Sequence, residues 1–338
     1  MNQNNPNSGN HKVVVIVGIV ASVLTLFTFL TGITNIWDIR NINIYLFPQV
    51  SSPISITNTP YAIDLDSGSI NWNGQLIYIF DGTVVSREND RKVTPLFIAP
   101  KNSSKLRWSP DGKHIAYIRD NKGSDTAILV MDNDGTNAFT IFAPTTWGVA
   151  IHDISWLSDS KNILFSFGQY QSKLGIVNID SLSVQEFDFC SNYSEGRVRQ
   201  IMLSPDDAKI AYLDFNGDLG VRAINDSECE IWLDELFGHG PFIFSSENLD
   251  EIIYYNSGNL YRVSKPGSGE TRLVLIDELS ASEGDLLSYM SWHPSGRYLA
   301  INSSSSLYVL DNLTGKVERV FHDSNFNGFE GHTLHWLP

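Results

Sequence analysis

One unit recurs along most of this 338-residue chain and leaves it few possible folds. The unit is an aromatic or apolar anchor, a short polar turn, and an alternating strand beginning seven or eight residues later. It reads WSPDGKHIAYI from Trp108, WLSDSKNILFSF from Trp156, LSPDDAKIAYL from Leu203, FSSENLDEIIYY from Phe244 and WHPSGRYLAIN from Trp292. Successive anchors stand 48, 47, 41 and 48 residues apart. Each unit continues through a second turn into another strand, as in Ile128–Phe142 and Leu307–Phe321. Asp-Gly, Asn-Asp-Gly and Thr-Gly supply the turn chemistry, so each period holds four short antiparallel strands. No stretch after residue 40 has sustained helical periodicity. A period of about 40–45 residues with four strands is a propeller blade, so the expected fold is an all-β β-propeller.

The chain's end sets the blade count. The terminal GHTLHWLP places Trp336 44 residues after Trp292, so the chain finishes on one more innermost strand. Residues 75–99 align with Glu251–Ile276, which supplies the three outer strands of a blade. Joining the last strand to them closes a ring of six blades over residues 75–338. A seven-blade ring is the alternative, with Ser69–Trp72 as an inner strand and Asn41–Asp66 as outer strands.

Trp108-Ser109-Pro110-Asp111-Gly112-Lys113, followed by Ile115-Ala116-Tyr117 and Asp132-Asn133-Asp134-Gly135, resembles the repeat of TolB-like (WD-type) propellers. The resemblance implies a partner-binding surface in the cell envelope. TolB carries an α/β domain before its propeller, whereas only about 40 residues separate the apolar segment from the first repeat here. That departure argues against a direct role in the Tol-Pal machinery.

The apolar segment is Val13–Ile33, free of charge and proline. About 20 helical residues cross a ~30 Å hydrocarbon core, so a single transmembrane α-helix is expected over 13–33. A cleaved signal peptide has a shorter apolar region and a small-x-small site, which Thr31–Asn35 matches poorly. Residues 1–12 form a disordered polar tip, and 34–74 a stalk. Lys12 and the terminal amine favour an inside N-terminus, placing the propeller outside the cytoplasm of a bacterial cell. Net charge is −15. Lys12 is the only charged residue before Thr34, so the remainder carries 22 minus 38, or −16. Nucleic acid is excluded as a partner, because its binding rests on clustered cations. Cys190 and Cys229, 39 residues apart, are expected to pack separately, since one ends an outer strand and the other begins one. Outside the cytoplasm a disulfide between them is permitted.

Catalytic signatures are absent: no Gly-x-Ser-x-Gly, phosphate loop, Cys-x-x-Cys or His-Glu-x-x-His. Asp132–Gly135 resembles part of a calcium loop, but Val130 and Ile141 occupy ligand positions, which leaves a hairpin turn. No cofactor is implied. Four or five residues before the anchors stand His152, Arg199, His239 and His332, directed towards one channel mouth. Convergent imidazoles hold a divalent metal or an anion. Some propeller lyases acting on uronic acid oligomers resemble this arrangement. The same loops carry aromatic residues, among them Trp147, Tyr193 and Phe326, beside acidic ones such as Asp234. Aromatics rimmed by charge mark protein interfaces. The sequence therefore reads as a membrane-anchored, non-catalytic module that binds a protein or envelope component. The competing reading is a metal-assisted lyase or hydrolase acting on acidic oligosaccharides at the channel mouth.

Overall fold

The computed structural model describes residues 70–89, 92–120, 126–190, 197–234, 240–256, 259–264, 270–275, 287–303, 305–322 and 333–337. Val13–Ile33, His239, His332, Tyr193 and Phe326 lie outside them. The described residues form 24 strands in six four-stranded antiparallel sheets. The first three, β1 (Gln75–Phe80), β2 (Thr83–Glu88) and β3 (Val93–Ile98), belong to blade 1. Blade 2 follows as β4 (Ser103–Trp108), β5 (His114–Asp120), β6 (Thr126–Asp132) and β7 (Phe139–Phe142). Blade 3 is β8 (Ala150–Trp156), β9 (Asn162–Gly168), β10 (Ser172–Asn178) and β11 (Val184–Asp188). Blade 4 is β12 (Val198–Leu203), β13 (Lys209–Asp214), β14 (Leu219–Ala223) and β15 (Glu230–Leu233). Blade 5 is β16 (Phe242–Phe244), β17 (Glu251–Asn256), β18 (Asn259–Ser264) and β19 (Glu270–Leu275). Blade 6 is β20 (Leu287–Trp292), β21 (Tyr298–Ser303), β22 (Ser306–Asp311) and β23 (Lys316–His322). The last strand, β24 (Leu334–Leu337), returns to blade 1 and pairs with β1 in the register Gln75↔Leu337 to Tyr78↔Leu334. The ring has six blades, closed by its own C-terminal strand.

Two-sided burial explains why the middle strands are nearly all apolar. β1 is buried along its central four residues and β6 along Ala127–Met131, because each sheet is sandwiched between two others. The core is accordingly divided into six apolar clusters, one at each blade–blade interface. The repeat anchors end the innermost strands and reach across these interfaces. The indole Nε1–H of Trp156 donates to the Arg107 carbonyl (2.8 Å), that of Trp292 to Phe244 (2.7 Å), and that of Trp336 to Ser291 (3.0 Å).

The Ser-Pro-Asp turns then tie neighbouring blades together. Within one turn, Ser109 Oγ donates to Asp111 Oδ1 (2.7 Å) and accepts from the His114 amide. That hydroxyl is the largest influence holding the Asp111 carboxyl down to about 2. Between turns, the Asp111 amide donates to Ser160 Oγ, the Ser158 amide to Asp207, and Ser246 Oγ to the Gly296 carbonyl. Lys209 pairs with Asp250. His293 Nε2 donates to the Asn73 carbonyl, completing the link from blade 6 to blade 1. Asp132–Gly135 is a hairpin turn, with the Gly135 amide donating to the Asp132 carbonyl.

Residues 70–73 are not a strand, so the seventh blade's inner strand does not form. They instead fasten blade 1 to blade 6. The Ile70 amide donates to Glu318 Oε2 (2.7 Å), Tyr298 Oη donates to the Asn71 carbonyl, and Trp72 lies edge-on to Trp336. Residues 70–73 thus pack against the propeller ahead of its first strand.

The cysteines correct another expectation. Cys190 and Cys229 form a disulfide with 5.7 Å between Cα atoms, joining blades 3 and 4. Assigning strand ends to opposite faces neglects twist, which accumulates at about 20–25° per strand across a blade. By the outermost strand, the end of β11 turns towards its neighbour. Arg222 of β14 accordingly donates to the carbonyls of Asp188 and Phe189.

Candidate functional site

All six innermost strands run in the same direction. The blade-to-blade connections and the second-to-third strand hairpins therefore share one face, termed the loop face. The Ser-Pro-Asp turns occupy the other. Four innermost strands carry a β-bulge. The pairing slips between Ser104 and Arg107, Ile151 and Asp153, Val198 and Gln200, and Leu287 and Tyr289. An extra, unpaired residue re-aims the side chains around it. His152, Arg199 and Ser288 are three of these extra residues.

A charged cluster fills the axis. Asp153 of β8 is fully buried and accepts hydrogen bonds from the Ile154 amide (2.9 Å) and, across the blade boundary, the Ile201 amide (3.0 Å). Arg107 Nη2 lies 3.5 Å from its Oδ1 and Lys105 Nζ 3.9 Å. The Arg107 guanidinium covers the ring of Tyr289, 4.0 Å from its centroid, so blade 2 reaches blade 6 across the channel. Burial pulls the Lys105 ammonium down to about 8. Arg107 and Arg199 repel it further, and Asp153 opposes them. Burial likewise raises the Tyr289 phenol. His335 of β24 stacks on Trp108 at 5.6 Å, and burial lowers it to about 4, so its imidazole stays neutral at physiological pH.

The loop face presents a different chemistry. Trp147 is 77% exposed on the connection into blade 3, Tyr170 76% exposed on the β9–β10 hairpin, and Phe215 half-exposed on the β13–β14 hairpin. The first two loops meet: Gly148 has φ +81°, and a Cβ there would stand 2.8 Å from the Gln169 side-chain nitrogen. Beside them opens a cleft of about 450 Å³ lined by Phe142, Pro144, Val149, Phe167, Lys173 and Glu186. His152 joins this side, edge-on to Phe215, over whose ring Arg197 also lies. Burial and then the Arg197 charge lower the His152 imidazole, and its Nε2 is buried without a partner.

Among the described residues no three His, Cys, Asp or Glu side chains come together as a metal would require. His152 stands with Arg197 and Phe215, and Arg199 with the axial cluster. Trp147 lies exposed on the loop face. Sequence reading missed Lys105, Arg107, Asp153, Tyr289 and His335. Lys105, Asp153 and Tyr289 all stand three residues before their anchors, and Arg107 and His335 one before. For Lys105, Asp153 and Tyr289 the signal lay in the repeat phase, one residue from the position singled out.

No protein-family model matches the chain, and no curated protein matches it in sequence. Solved structures do match in shape. A chain of the nidogen/laminin complex superposes with a TM-score of 0.59 at 12% identity, covering 78% of this chain and 98% of that one. TolB from Acinetobacter baumannii superposes at 0.55 with 14% identity, covering 78% and 67%. An oligogalacturonate lyase in complex with manganese reaches 0.44 at 13% identity, covering 73% of each chain. The chain shares its propeller fold with TolB.

Proposed function

We propose that this chain is a membrane-tethered, non-catalytic binding module whose loop face grips a protein or another envelope component outside the cytoplasm. The observation that carries the reading is the trio of exposed aromatics on that face, Trp147, Tyr170 and Phe215, beside a 450 Å³ cleft. Water-exposed rings of this size are costly to leave unpartnered, and such residues dominate interface energetics. The Cys190–Cys229 disulfide supports an oxidising compartment. The apolar run Val13–Ile33 supports the tether.

The test is site-specific photo-crosslinking in cells expressing the full chain. A benzophenone side chain is placed at Trp147, Tyr170 or, as the control, Leu313, which is 78% exposed on the opposite face. One adduct shared by the first two positions and absent from the third is expected. Equal labelling from Leu313, or no adduct from either loop position, would overturn the reading. For the tether, the full chain is expected to resist a carbonate wash of membranes, and a variant lacking 13–33 to be released.

A further inference from the structure

We propose that the axis of the ring, just inside the loop face, is an oxyanion site in which the Lys105 ammonium and the Arg199 guanidinium take a carboxylate or sulfate-type group of a ligand. The site is separate from the aromatic face and stands whether or not that face grips a partner.

Charge is the first argument. Lys105 Nζ and Arg107 Nη2 of β4 lie 3.9 and 3.5 Å from one carboxylate, Asp153 of β8, and the Arg199 charge on β12 is near enough to repel the Lys105 ammonium. Among the described residues, three cations and one carboxylate leave a surplus of two positive charges, in a chain whose net charge is −15. Among the described residues, Tyr289 of β20 is held as a neutral phenol and His335 of β24 as a neutral imidazole, so neither adds a negative charge.

Geometry is the second. Asp153 is already occupied by two backbone amides. At 3.9 Å its oxygen is beyond hydrogen-bond reach of Lys105 Nζ, whose side chain is only 13% exposed. Among the described residues the ammonium has no nearer acceptor, although an ammonium carries three donors and is costly to bury unsatisfied. Arg199 is exposed at the mouth and has no carboxylate partner among those residues. One oxyanion between the two satisfies the lysine and accepts the arginine fork.

Backbone strain is the third. Lys105 has φ +57°, and it is the only non-glycine described residue in that region inside a strand; the others lie in turns or next to strand ends. The left-handed conformation is unfavourable for a residue with a Cβ. Together with the β4 bulge it places this side chain in the channel.

The experiment is lysine 13Cε NMR of the full chain in a zwitterionic detergent, with the Lys105 signal identified by its absence in Lys105→Met. In chloride the signal is expected to titrate near 8. Sulfate or acetate at equal ionic strength is expected to move the midpoint up by about one pH unit, because a bound anion favours the charged amine. Arg199→Gln, at an exposed position, is expected to remove that movement. A larger effect from acetate assigns a carboxylate ligand, and a larger effect from sulfate a tetrahedral one. No movement with either anion, or an unchanged movement in Arg199→Gln, would overturn the site.

Discussion

At the scale of single residues, Lys105 departs most from what its surroundings would favour. It is a largely buried ammonium in a left-handed conformation, beside one carboxylate and repelled by two arginines. Its burial has a defined pH signature. Below pH 8 the lysine is protonated in both the folded and unfolded chains, so the full cost of burying the charge is present. Between about 8 and its ordinary 10.5 the folded chain loses the proton while the unfolded chain keeps it, so stability rises with pH across that window. A displacement of this size corresponds to on the order of 3 kcal/mol. Lys105→Met is therefore expected to stabilise the fold by about 1–3 kcal/mol at pH 7, and by little near pH 10.5. Urea melts at the two pH values measure this. A loss of stability at pH 7 would mean that the ammonium supports the core rather than burdening it.

A second prediction at this scale concerns the anchors. Trp156→Phe keeps most of the apolar ring but removes the donor to the Arg107 carbonyl, which lies between blades 2 and 3. Leaving that acceptor unsatisfied costs about 1–3 kcal/mol, again read from a urea melt.

At the scale of elements, the blades use a device absent from the repeat motif. On β10 and β14 a glycine stands opposite an aromatic of the preceding strand, Gly175 opposite Phe165 and Gly220 opposite Tyr212. Each ring lies across its glycine: a Cβ at either position would fall 2.3 Å from the ring. Gly220→Ala is expected to displace Tyr212 and destabilise the fold by about 1–3 kcal/mol, as overpacking does. Combining it with Tyr212→Leu is expected to recover most of the loss, and a double-mutant cycle tests this. A matching loss in both backgrounds would show that the ring is not the obstacle.

The elements also explain what the sequence could and could not reveal. The anchor spacing and the final Trp336 specify six blades, because strand length, turn chemistry and ring closure are all local or periodic. The axial cluster depends on which face of each innermost strand looks inward. In four of them a bulge adds one residue, and one residue reverses the facing in a strand. Counting back from the anchors therefore picked out the bulge residues His152 and Arg199 rather than Asp153 and Tyr289. The disulfide was missed for a related reason: strand twist is a property of the whole sheet, and it moves a strand's end away from the face that strand order assigns.

At the scale of the molecule, two devices hold the ring, and their energetics differ. The disulfide closes a loop of 39 residues between adjacent blades that also share an apolar cluster. Chain entropy for such a loop gives at most about 4 kcal/mol, so Cys190→Ser with Cys229→Ser is expected to fold, less stably by about 2–4 kcal/mol. Wild type in reductant should melt with the double variant. Closure by β24 is different in kind. Trp336 is 2% exposed against Trp72 and the blade 6 cluster, and it donates to Ser291. Losing such a tryptophan alone costs about 3–5 kcal/mol. Truncation after Thr333 also removes a ladder from β1, leaving the buried Ile77 and Tyr78 on an open edge. That shortened chain is expected to lose its near-ultraviolet circular dichroism, which the cysteine variant retains. A synthetic peptide spanning residues 331–338, added in trans, should restore the signal by supplying the missing strand. If the truncated chain keeps its near-ultraviolet signal unaided, five complete blades hold the ring and the C-terminal strand only covers it.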